Sequence, residues 1–73
     1  MESERNKQIA ILVLQGMTYD NVGIKYDISR ERVCQITRRI LSRIEPNAVD
    51  SYDINAFRRD SARLINAINR GLL

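Results

Sequence analysis

The stretch between Ser29 and Pro46 constrains the chain more than any other. Val33, Ile36, Ile40 and Ile44 recur there at three- and four-residue intervals, with Leu41 beside them. That period is an α-helix carrying one aliphatic stripe. With about 100° of rotation per residue, Glu31, Gln35, Arg38 and Ser42 fall on the opposite face, and Arg32, Arg39 and Arg43 line one edge. Ser29 offers a capping hydroxyl and Pro46 forbids continuation, so the spacing predicts a helix from Arg30 to Ile44. Such a helix must bury one side and present guanidinium and amide groups on the other.

The stripe needs apolar partners, and the preceding residues supply them. Glu4 to Gln15 reads as a first helix, with Ile9, Leu12 and Val13 at helical spacing and Ile11 and Leu14 widening the apolar surface. Gly16 can end it in a left-handed conformation. Thr18 then caps a short helix from Tyr19 to about Tyr26, with Val22 facing inward. Asp27-Ile28-Ser29 breaks that helix, with Ile28 as a buried plug. Tyr19 and Tyr26 read as core or rim packing, and Cys34 as a small filler at a helix edge. Asn47 to Tyr52 is a polar connector. A further helix from Asp53 to about Arg70, capped by Ser51 or Asp53, carries Ile54, Phe57, Leu64, Ile65 and Ile68, although Ser61 interrupts the stripe and Arg58, Arg59 and Arg63 lie off it. The expected fold is therefore all-α: a three- to four-helix domain over residues 1–46, then a linker and a C-terminal helix or tail over 47–73.

Composition excludes several functions. Seventy-three residues with 44% apolar content allow one small core and leave little room for an enzyme pocket. Three glycines and one proline disfavour a turn-rich β fold. Histidine is absent and cysteine single, which removes imidazole chemistry, the common zinc sets and any intrachain disulfide, and suits a reducing cytoplasm. No cofactor, metal or catalytic residue is expected, and no carboxylate pair is spaced for acid–base work. The longest apolar run, Ile9 to Leu14, cannot span a membrane, and the mixed charges of Met1 to Arg5 are unlike a signal peptide.

Charge is concentrated in one place. Ser29 to Ile44 holds five arginines against one acid, Glu31, whereas the other 57 residues hold seven bases and eight acids. Ten of the twelve bases are arginine, whose planar fork matches phosphates and guanine edges. Helix, short turn and helix, with arginine and glutamine projecting from the second, is the helix-turn-helix pattern. In that pattern the first helix braces the second, whose N-terminal half enters the major groove. The serine cap leaves amides that can meet a phosphate.

The stretch Gly16 to Ile44 resembles region 4 of bacterial housekeeping sigma factors. Its core is Tyr26-Asp27-Ile28-Ser29-Arg30-Glu31-Arg32-Val33, followed by Gln35-Ile36. The resemblance covers Ile9 to Ile44 and fades after Pro46. It implies two partners: promoter DNA, read in the major groove, and bacterial RNA polymerase, held at the flap of its β subunit near the RNA exit channel or at a neighbouring subunit surface. By motif, Arg30, Glu31 and Gln35 match base-reading positions and Arg39 a backbone-contacting one. The candidate nucleic-acid-binding set is Arg30, Glu31, Arg32, Gln35, Arg38, Arg39 and Arg43. Two departures stand out. Cys34 replaces a customary arginine, and Thr37 and Arg38 replace an acidic and a small residue, changing the expected outer face.

A working sigma factor also needs a promoter-melting domain, for which this chain has no space. The expectation is a free-standing region 4 that inhibits or redirects host transcription, of the kind a phage or mobile element would use. The alternative is a self-contained dimeric repressor or activator reading duplex DNA without polymerase. The stripe from Ile54 to Ile68 can close the core, pair with a second copy or lie loosely attached; as a partner surface its candidate contacts are Phe57, Leu64, Ile65 and Ile68, so monomer and homodimer both stay open.

Overall fold

The computed structural model describes residues 3–46 and 53–71. Five helices follow one another: α1 (Glu4–Leu14), α2 (Tyr19–Tyr26), α3 (Arg30–Ile44), α4 (Ile54–Arg59) and α5 (Ser61–Asn69). No strand occurs among the described residues. The polar connector read at 47–52, with its capping candidate Ser51, lies outside them.

Short-range chemistry sets the first three helices. Each starts at a hydroxyl residue in extended backbone whose Oγ accepts an amide three residues on: Asn6 N–H to Ser3 at 3.2 Å, Asn21 N–H to Thr18 at 3.1 Å and Arg32 N–H to Ser29 at 3.1 Å. Their ends are equally definite. Gly16, at φ 107°, lets its own amide reach the Val13 carbonyl and the Met17 amide reach that of Leu12, both at 3.1 Å. Asp27 does the same for α2 at φ 58°, a conformation short polar side chains tolerate. The Ile28 amide then bonds the Gly23 carbonyl at 2.9 Å.

Gly23 makes that turn possible. A Cβ at this position would stand 2.6 Å from the Ile28 carbonyl oxygen. Only glycine lets the α2–α3 turn fold back so closely onto α2. Ile28 is half-buried against the core in consequence, less enclosed than the plug its position suggested.

One core joins all five helices. Ile9, Ala10 and Val13 of α1, Val22 of α2, Val33, Ile36 and Ile40 of α3, and Leu64 and Ile68 of α5 are fully excluded from solvent. α3 crosses α1 and α2, and α5 lies against α1 and α3. Each such valine, leucine or isoleucine contributes about 1.5–3 kcal/mol relative to exposure. Thr37 is buried too, contrary to its expected place on the outer face: it stands one residue after Ile36 and one turn from Val33 and Leu41, within the aliphatic arc.

The single helix read from Asp53 to Arg70 is two. Asp53 caps α4 through Oδ1, which accepts the Asn55 amide at 3.0 Å. Asp60 then leaves helical geometry (φ −100°, ψ 21°) and separates α4 from α5 without a side-chain cap. A continuous helix would set Ser61 in the middle of the apolar stripe. Asp and Ser side chains compete with helical backbone bonding, so the chain turns here at little cost.

Candidate nucleic-acid interface

The Ser29 hydroxyl opens α3, and the aliphatic stripe then sets its rotation. With Val33, Ile36, Ile40 and Leu41 seated in the core, Arg30, Glu31, Arg32, Gln35, Arg38, Arg39 and Arg43 are all exposed. The seven candidate residues therefore share the solvent side of one helix. Glu31 in the first turn and Arg43 in the last both complement the helix dipole. Ser42 donates its hydroxyl to the Arg39 carbonyl at 2.7 Å, so its side chain folds back onto the helix. Cys34 is half-buried at the other edge, a free thiol.

Across the turn, the Arg30 Nε lies 3.7 Å from an Asp20 carboxylate oxygen, with both side chains more than half exposed. A pair this open is worth little and is screened by salt. It holds Arg30 loosely and would release it to a stronger anion. Ile24, on the outer face of α2, is 79% exposed and is the one large apolar side chain left so among the described residues. A lone exposed isoleucine is ordinary on a protein surface and carries no functional argument.

The candidate partner stripe has a different fate. Phe57, Leu64 and Ile68 are buried within the chain's own core, and Ile65 is half-buried against it. They close this fold, with Ile65 alone of the four partly at the surface. The reason is that α1 and α3 leave an aliphatic side uncovered until α5 arrives.

Two contributions were not legible from spacing. Arg58 is half-buried, and its Nε and Nη2 donate to the carbonyls of Val13 and Met17 at 3.0 and 3.1 Å. It thereby satisfies the carbonyl end of α1. Arg63 pairs with Glu45 just after α3 and more loosely with Asp60. Its pKa is raised, chiefly by the hydrogen bond and charge of Glu45. Long-range bonds of this kind leave no periodic trace.

The family model for sigma-70, region 4 matches residues 3–45, from the Ser3 cap of α1 to the end of α3. The chain belongs to the sigma-70 region 4 family. No curated protein and no solved structure matches it significantly. The match takes in the complete helix-turn-helix and stops before α4 and α5. This sigma region 4 domain is thus of a DNA-binding, transcription-related class, and α3 is the second helix of its helix-turn-helix. Among its described residues no three carboxylate or thiol groups gather as a metal site, and no helix is long and apolar enough to cross a membrane.

Proposed function

We propose that this chain regulates transcription by engaging bacterial RNA polymerase where sigma region 4 is normally held, at the β flap or an adjoining surface, with α3 turned toward promoter DNA. The observation that carries this reading is the region 4 match over residues 3–45, with Arg30, Glu31, Arg32 and Gln35 of the α3 motif on the solvent side and Val33 and Ile36 in the core. Arg30, Glu31 and Gln35 occupy the first turns of α3, the part of a recognition helix that reaches base edges. Arg32, Arg39 and Arg43 on the flank are placed for phosphates.

The dimeric repressor receives less support. One recognition helix gives weak specificity alone, so that reading needs a second copy. The surface available for pairing was the stripe of α4 and α5, and Phe57, Leu64 and Ile68 are taken up by the core.

The deciding experiment is retention of the purified chain by core polymerase and by the isolated β flap, without DNA. Binding to either supports the proposal; loss of both at moderate salt ends it. If α3 also reads bases, Arg30→Ala or Gln35→Ala lowers discrimination between duplex sequences by about 1–3 kcal/mol, measured by competition binding. Equal affinity for all sequences before and after substitution would leave polymerase contact as the sole activity.

A further inference from the structure

Beyond the family segment, α5 brings a second group of basic side chains to the end of the recognition helix. Arg63, Asn66, Ala67 and Arg70 follow at intervals of three, one and three residues, so they share one face of α5. That face meets Arg43 and Ile44 of α3 across a cleft of about 340 Å³. Three of the six lining residues are arginine, one is an amide, and none is acidic or aromatic.

The parts of this cleft play different roles. Arg63 is committed to Glu45 and Asp60, so it holds α5 against the end of α3. Arg70 stands two turns further along the same face, about 10 Å away by helix rise. It is exposed, at the last position before Gly71 turns the chain out of the helix at φ 72°. Arg43 ends the edge of α3 that also carries Arg32 and Arg39. A line of guanidinium groups thus leaves the recognition helix and continues onto α5.

We infer that this cleft is a second phosphate-binding site, through which α5 extends the duplex DNA contact of α3 along the nucleic-acid backbone. The inference rests on the DNA-facing part of the function proposed above. Three features select duplex backbone over other partners. Guanidinium groups suit phosphate oxygens, and Asn66 can donate its amide beside them. The lining has no aromatic ring on which an unpaired base could stack. It also lacks the aromatic anchors that dominate protein interfaces, since its apolar members are only Ile44 and Ala67.

The test is titration of the full-length chain with a short mixed-sequence DNA duplex at several salt concentrations. Each phosphate contact contributes about 0.9 to the slope of log affinity against log salt. Arg70→Ala is expected to flatten that slope by about one contact, while Arg70→Lys keeps it, because a point charge still displaces a counterion. Arg5→Ala, on α1 away from the cleft, is expected to leave the slope unchanged. Circular dichroism reports whether each variant keeps its helices. A wild-type slope in Arg70→Ala overturns the inference and leaves the reading of α3 standing. Failure of the wild-type chain to bind duplex also overturns it, while polymerase retention is decided separately by its own experiment. Loss of polymerase retention in Arg70→Ala, with the DNA slope intact, would assign the cleft to an acidic protein surface instead.

Discussion

The two halves of this molecule are helical for different reasons. In residues 3–46 each helix begins at a serine or threonine that bonds an amide three residues later, and α1 and α2 end at a left-handed Gly16 and Asp27. In residues 53–71 the caps are weaker. Asp53 serves α4, but Asp60 bounds both α4 and α5 with no side-chain cap for the second. What holds the later half is tertiary: Phe57, Leu64 and Ile68 in the core, Arg58 on the end of α1, and Arg63 on Glu45. A helix written by its own caps can be read locally. One written by its neighbours needs the neighbours first.

Substitutions can break or sharpen this contrast. The largest effect is expected from Leu64→Ala, at about 2–5 kcal/mol. Denaturant unfolding should show that loss in one transition spanning the whole chain. A small early transition confined to the C-terminal helices would make the second half a loosely attached appendage. Gly23→Ala comes next, at about 1–3 kcal/mol, because the new methyl meets backbone rather than a movable side chain. Thermal melting checks it, and an unchanged midpoint would mean that the turn can open at no cost.

Thr37→Val has the opposite sign. Its buried Oγ1 has no hydrogen-bond partner among the described residues, so an isosteric methyl should stabilise the fold by about 1 kcal/mol. The smallest effects compare caps directly. Ser29→Ala is expected to cost about 1 kcal/mol, whereas Asp60→Ala should stay within about 0.5 kcal/mol because it loses only an exposed ion pair with Arg63. Equal losses at the two positions would erase the distinction between the halves.

Legibility followed the same division. The bounds of α2 and α3 were available from Thr18, Ser29 and the aliphatic period, and the α1 boundary differs only in treating Gln15 as its cap. The solvent side of α3 followed from the same stripe, whereas the roles of Arg30, Glu31, Gln35 and Arg39 were implied only by the resemblance to sigma region 4. Thr37 differs from its motif-based place on the outer face because the helical angle sets it beside Ile36. The α4–α5 break was half visible in Ser61. Choosing between one bent surface helix and two helices tucked into a core required knowing that α1 and α3 leave an aliphatic side open. Gly23 was silent for a related reason: its importance lies in an oxygen five residues away, and nothing in an isolated glycine announces that.

The two carbonyls held by Arg58 make the earlier helices answerable to the later ones. A fragment cut after α3 would keep every residue of the region 4 match, yet the last turn of α1 would face water with its guanidinium clasp gone. Anyone moving this module into another protein should therefore carry α4 along with it. The portable unit here is larger than the matched segment.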